Sequence, residues 1–197
     1  MVKVSAVTTT ADAQGIQLMS LRIRPFVQGR DEAVLVSVYN RAFQEFDDAR
    51  SITVEDMMIS EKSPTFDAAG LFIAELNNEP VGLLNAQVDK MRVEKKGFIR
   101  WLGVVPEFRR RGIGKALAQK ALESLKKRGM TTVEAQAVEG KIETIRLWGS
   151  LGFARVRVFS LMTASLETVP SNVAENREVK LRKCTKGSID DLKLLNR

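Results

Sequence analysis

Trp101-Leu102-Gly103-Val104-Val105-Pro106-Glu107-Phe108-Arg109-Arg110-Arg111-Gly112-Ile113-Gly114-Lys115 decides how the rest of the chain is read. Its first residues are apolar and β-branched, the composition of a strand. Pro106 cannot continue a hydrogen-bond ladder, so the strand ends there. From Ile113 onward, Leu117, Ala118, Ala121, Leu122 and Leu125 recur on one helical face. Lys126-Lys127-Arg128-Gly129 close that helix with cations at its negative end and a glycine stop signal. The stretch predicts strand, turn, basic glycine loop and helix.

The loop carries the chemistry. The first N–H groups of a helix lack intrahelical acceptors and bear partial positive charge. Gly112 and Gly114 let an anion approach the backbone, and Arg109, Arg110 and Arg111 add charge. Together these make a phosphate cradle at a helix N-terminus. The same residues also suit a turn with a solvated charge cluster, and the loop alone does not choose. Neither G-x-x-x-x-G-K-[ST] nor G-x-G-x-x-G is present.

Two segments decide between those readings. Arg109-x-x-Gly112-x-Gly114 fills the [QR]-x-x-G-x-[GA] core of an acyl-CoA-binding motif, and Leu147-Trp148-Gly149-Ser150-Leu151-Gly152-Phe153 resembles L-Y-x-x-x-G-F. In this order and at this distance they resemble the GNAT superfamily of N-acetyltransferases, over roughly Leu21 to Leu166. The resemblance implies an α/β mixed sheet, the GNAT-like acyl-CoA N-acyltransferase fold, with a splayed central parallel strand pair. It also implies acetyl-CoA as a substrate.

Composition sets the outer limits. The 197 residues are 44% hydrophobic and 28% charged, ordinary for one domain with a sizeable core. No apolar run reaches the length of a membrane span, and Met1–Gln17 lacks the apolar centre of a secretory signal. The single cysteine, Cys184, suits a reducing, cytoplasmic setting. Histidine is absent, which removes Ser-His-Asp and Cys-His catalysis and most zinc sites. Net charge is +7, unevenly spread. Residues 86–128 hold thirteen Lys/Arg against four acids, and 45–61 hold six acids against one Arg. The basic region suits a phosphorylated ligand, and the acidic one would favour a cationic amine. Nucleic acid is set aside because no helix-turn-helix, zinc or aromatic RNA-binding signature accompanies the charge.

In chain order, Leu21–Phe26 reads as a strand and Glu32–Phe43 as a helix capped by Asp31. Thr53–Ile59 reads as a second helix with Thr53 and Asp56 in a capping box. Leu71–Leu76 and Pro80–Val88 form a hairpin through Asn77-Asn78. Phe98–Val105 and Thr132–Val138 flank the glycine-loop helix and so run parallel. Ile142–Leu151 is a helix, and Arg155–Leu166 a long final strand. The domain reading is a loose extension at 1–19, the acetyltransferase-like domain at 20–168 and a linker at 169–178. Residues 179–197 form a strand and helix that repeat the opening pattern of Leu21–Asn40. That repeat resembles the layout of tandem acetyltransferases of the mycothiol synthase kind, cut short. An ordinary C-terminal helix is the other reading.

The resemblance implies that Leu102, Gly103 and Val104 pair through their backbone with the pantetheine arm. The pyrophosphate then lies on Arg109, Arg110, Arg111, Gly112, Ile113, Gly114 and Lys115, and an N–H near Val104 meets the thioester oxygen. The family's usual acid, a tyrosine, is replaced by Trp148, whose indole donates a hydrogen bond but cannot deliver a proton. Lys141 stands where the family commonly has Asn. A thiol of pKa ~8.5 can leave as thiolate with hydrogen-bond help alone; otherwise Ser150 or Tyr39 would donate. Without either, the domain would bind acyl-CoA as a sensor or scaffold, with Trp148 a packing residue. Glu75 and Glu134 are the base candidates, both equally suited to solvated strand positions. The implied acceptor is an amine-bearing small molecule or a protein N-terminus. No metal or membrane is implied, and homodimerisation is left open.

Overall fold

In the computed structural model, residues 20–46, 49–88 and 94–160 are described, together with 162, 165 and 167. The chain divides into two units, Met1–Ala154 and Arg155–Arg197. The expected extension at 1–19, the linker, the 179–197 repeat and Cys184 lie outside the described residues.

The first unit runs β1 (Leu21–Pro25), α1 (Glu32–Phe43), α2 (Val54–Glu61), β2 (Leu71–Leu76), β3 (Glu79–Val88), β4 (Lys96–Val104), α3 (Ile113–Lys127), β5 (Thr132–Ala135) and α4 (Ile142–Ser150). The five strands form one sheet in the order β1-β2-β3-β4-β5. Neighbours are antiparallel except β4 and β5, which run parallel as the intervening helix requires. Asn77 and Asn78 take φ of 52° and 68°, both left-handed, the turn their side chains tolerate between β2 and β3.

Helices cover both faces because the strands are apolar on both. Phe72, Leu84, Ala86 and Ile99 pack on Leu117, Ala121 and Leu125 of α3. Leu71 and Ile73 pack on Leu35, Val36 and Met57 of α1 and α2, while Leu83 and Val105 meet Val38. Each fully buried Leu or Ile stabilises the fold by about 1.5–3 kcal/mol. At Gly70 an added Cβ would stand 2.2 Å from the Ala86 carbonyl oxygen, so the chain can cross β3 there only as glycine.

Polar groups tie the first strand to the first helix. Asp31 does not cap α1 with its side chain. Its carboxylate instead accepts from Arg24 at 2.5 Å and from the Val27 N–H at 2.8 Å. Arg24 also holds Glu75 at 2.7 Å. Two charge partners outcompete a helix N–H, which is why the expected cap is not made. Burial pushes the Asp31 carboxyl up, but the bonds from Arg24, Arg30 and Val27 outweigh it and hold the group at about 2. Thr53 does form its capping box with Asp56. Between the start of α1 and the end of α2, Glu61 lies near Glu32; burial first, and then the neighbouring Glu32 carboxylate, push its carboxyl above the usual range despite a bond from Gln28.

Two expectations need correction. The strand from Thr132 stops at Ala135, not Val138. Residues 155–160, expected to open the final strand, carry no strand assignment, and Val156 and Phe159 are 80% and 74% exposed. Alternation supplies propensity, but a strand exists only where a neighbour completes its hydrogen bonds.

Candidate functional site

The site begins where β4 and β5 part. Their register runs from Lys96 opposite Thr132 to Ile99 opposite Ala135 and then stops, while β4 continues to Val104. Beyond Ile99 one edge of β4 has no strand beside it among the described residues. The opposite edge is fully engaged by β3, and the Val105 N–H donates to the Val81 carbonyl at 2.9 Å. Bonding groups alternate along an antiparallel strand, so Gly103 and Val105 face β3. The main-chain groups of Leu102 and Val104 therefore face the opening. A bulge sets this phase: Leu84 lies opposite both Trp101 and Leu102, and Trp101 takes φ of 54°.

Past Val104 the chain makes a single 3-10 turn, Pro106–Phe108, then the glycine loop. Arg110 and Gly112 are both left-handed, at φ of 64° and 79°. Successive left-handed turns aim the backbone into the head of α3. The first helical bond runs from the Ala116 N–H to the Gly112 carbonyl at 3.0 Å, and no side chain caps the helix. The N–H groups of Ile113, Gly114 and Lys115 thus precede the first intrahelical bond. A Cβ on Gly114 would meet Leu147 and Val104 at 3.8 Å, ordinary contact, so nothing in the protein requires glycine there.

The loop's arginines divide their work. Arg110 is exposed. Arg111 stacks on the Phe108 ring at 5.3 Å and donates to the Glu107 carbonyl at 3.2 Å. Arg109 turns inward. It donates to the carbonyls of Val104 at 3.0 Å and Ala42 at 3.1 Å, and to the Glu45 carboxylate at 2.5 Å. That hydrogen bond and the charge behind it hold the Glu45 carboxyl below the usual range.

The acid and base candidates scatter. Glu75 is on β2, two strands from β4, and is bound to Arg24. Ser150 donates to the Leu147 carbonyl at 2.8 Å. Glu134 lies opposite Phe98 on β5 and pairs with Lys96 at 3.0 Å. Its neighbours Val133 and Ala135 pack toward α3, so alternation turns Glu134 to the α1 face. Tyr39 of α1 occupies that face too, its ring 4.8 Å from Phe43 and 5.7 Å from Trp101. Trp148 is only 6% exposed, packs on Phe153 at 5.0 Å, and leaves its indole nitrogen buried without a hydrogen-bond partner.

Some features of the site escaped the sequence reading. Trp101 joins Tyr39, Phe43 and Phe46 in an aromatic row. Lys141, at the head of α4, lies over the Phe46 ring at 4.7 Å. The i, i+4 spacing of Tyr39 and Phe43 on α1 was a legible signal, but Phe46 joins them from beyond the helix end and Trp101 only through the bulge. Among the described residues no group of His, Cys, Asp or Glu could hold a metal ion.

Comparison with known proteins places this geometry. The acetyltransferase (GNAT) family model matches residues 35–153. A mycothiol acetyltransferase of Stackebrandtia nassauensis is 35% identical over 149 residues, 75% of this chain and 49% of that protein. Its counterpart in Thermobispora bispora is 36% identical over 138 residues, 68% of this chain and 47% of that one. The chain spans about half the length of these curated relatives. Among solved structures, a GCN5-related N-acetyltransferase of Sphaerobacter thermophilus aligns with a TM-score of 0.57 at 27% identity, covering 67% of this chain and 40% of that one. YncA of Salmonella typhimurium, solved with acetyl-CoA, shares the fold with a TM-score of 0.56 at 19% identity, covering 68% and 79%. With a parted parallel strand pair, an uncapped helix behind a basic glycine loop and a family match over residues 35–153, the chain belongs to the GNAT acetyltransferase family.

Proposed function

We propose that this chain is an acetyl-CoA-dependent N-acetyltransferase that passes the acetyl group directly to a primary amine. The observation that carries the reading is the open edge of β4, Leu102–Val104, ending beside the uncapped head of α3. A ligand with an amide-bearing arm and a pyrophosphate needs those two features at once. Main-chain groups of Leu102 would pair with the arm, as an added strand does, while the Val104 carbonyl stays with Arg109. The N–H groups of Ile113, Gly114 and Lys115 would take the pyrophosphate, with Arg110, Arg111 and Lys115 side chains adding charge. When bound, acetyl-CoA supplies the activated acetyl group.

The chain's own contribution is positioning and electrostatics. The Val104 N–H, aimed at the open edge, offers a hydrogen bond to negative charge developing on the thioester oxygen. Glu134, on the same sheet face as Tyr39 and beside the point where the strands part, is the base we assign to the attacking ammonium. Trp148 is a packing residue and leaves the thiolate to depart without a proton donor of its own. Relatives named mycothiol acetyltransferases support an acceptor of the mycothiol kind within the wider class of amine-bearing small molecules. No helix among the described residues is long and apolar enough to cross a membrane, and with the single cysteine this supports a cytoplasmic setting.

The test is calorimetric titration with acetyl-CoA, followed by release of free CoA thiol with a panel of amines. The panel holds a mycothiol-type amine, a plain amino sugar, an aminoglycoside and an alanine-initiated peptide. Micromolar binding and turnover of one class are expected. Binding without turnover of any amine would make the chain an acyl-CoA-binding module, and no binding would overturn both readings.

A further inference from the structure

Arg109 fills the first position of the motif that binds acyl-CoA, yet its guanidinium faces the protein. It satisfies three acceptors, on β4, on α1 and in the loop after α1: the last carbonyl of β4, at Val104, the Ala42 carbonyl, and the Glu45 carboxylate. Ala42 is in the last turn of α1, where carbonyls lack intrahelical donors and the dipole is negative. Arg109 thus serves as the missing donor at the end of α1. Its own backbone N–H is bound to the Pro106 carbonyl at 3.1 Å. The same end of α1 is held from another side, where Lys141 stacks on Phe46 and adds to the field that lowers the Glu45 carboxyl.

We propose that Arg109 is a positioning residue that locks the thioester end of β4 to the acceptor-side segment 42–46, and that it is not a phosphate ligand. Residues 42–46 lead from α1 toward α2, on the sheet face that carries the Tyr39–Trp101 aromatics. An arginine fork suits this task because its planar donors reach a strand carbonyl, a helix carbonyl and a carboxylate together. Lysine, one point charge, can keep Glu45 but not both carbonyls. Acceptor binding therefore depends on Arg109 through the placement of the end of α1, while donor binding rests on the backbone of Ile113–Lys115. The proposal builds on the acetyltransferase reading, and it makes a separate claim about which substrate Arg109 serves.

The experiment uses the full chain with Arg109→Gln, Arg109→Lys and Glu45→Gln. Calorimetry with acetyl-CoA at two salt concentrations reads donor binding, and hydrogen exchange of residues 42–46 reads the lock. Neither needs turnover, so both measurements test Arg109 even if no amine is acetylated and the acetyltransferase reading fails. Steady-state kinetics with the amine that the panel identifies reads acceptor binding. For Arg109→Gln we expect acetyl-CoA affinity and its salt dependence to stay within about twofold. Exchange at 42–46 and the acceptor KM should each rise about tenfold, the loss of a charged hydrogen-bond set. Arg109→Lys should fall between. Glu45→Gln, at a side chain 46% exposed that the fold does not need, should shift exchange and KM the same way, less far, even if Arg109→Gln does not fold. Weaker acetyl-CoA binding with unchanged exchange would make Arg109 a phosphate ligand and overturn the proposal; so would no change in either reading.

Discussion

Gly112 and Gly114 are glycines for different reasons, and substitution separates them. Gly112 is left-handed, where a Cβ costs roughly 1–2 kcal/mol, though open space surrounds it. Gly114 has an ordinary backbone and room for a methyl group. Gly112→Ala should lower Tm by about 2–8 °C. Gly114→Ala should leave Tm unchanged in a thermal melt and still weaken acetyl-CoA by about tenfold or more in calorimetry, because the methyl occupies space the ligand needs. A weakened fold with intact binding would reverse the assignment. Trp148 offers the second test at this scale. Trp148→Tyr places a phenol in a cluster where the indole nitrogen has no partner. If the tyrosine reaches the leaving sulfur, kcat should rise about tenfold and acquire a decline near pH 10 that the parent lacks. An unchanged kcat would mean that this position packs and does nothing more.

Among the elements, α1 was readable to the residue and Thr53 fulfilled its cap, because both rest on local spacing and local hydrogen bonds. The glycine loop was legible for the same reason: arginines, glycines and the helix behind them are neighbours in sequence. What local reasoning missed depends on distant partners. Asp31 has the right residue type for a cap, but Arg24 and the Val27 N–H claim its carboxylate. Thr132–Val138 has strand composition throughout, and the ladder still ends at Ala135. Arg109 has the motif's identity, while its partners Ala42 and Glu45 lie more than sixty residues away. Gly70 gives a prediction of this tertiary kind. Gly70→Ala drives a methyl into the Ala86 carbonyl and must push β2 from β3. A cost of about 2–3 kcal/mol, or about 4–12 °C in Tm, is expected by calorimetric scanning, with no change in the acetyl-CoA affinity of the folded fraction.

For the whole molecule, a buried carboxyl and a half-buried one give stability opposite slopes in pH. Asp31 is depressed from 3.8 to about 2, so its contribution is complete above 3.8 and is lost as pH falls toward 2. Glu61 is raised above 4.5, so the folded state holds its proton more tightly than the unfolded chain does. Its contribution is present below 4.5 and is lost as pH rises through the folded value. Glu61→Gln keeps a neutral group against Glu32 at every pH. It should therefore raise Tm by about 2–4 °C at pH 7 and make no difference near pH 4. A parallel pair of melting curves at the two pH values would contradict the raised Glu61 carboxyl. The lowered Asp31 should appear in both proteins as a fall in Tm below pH 4.

The chain's two tryptophans differ in their surroundings, Trp148 being 6% exposed and Trp101 37% exposed at the bulge of β4. That difference makes the protein its own optical instrument. Trp148 should emit at short wavelength and resist iodide, while Trp101 should emit at longer wavelength and be quenched. If acetyl-CoA lies along Leu102–Val104 as proposed, it passes beside Trp101, and a blue shift and loss of quenching in that component alone would report occupancy in real time. With Trp101→Phe the signal should vanish, and the remaining spectrum would belong to the core.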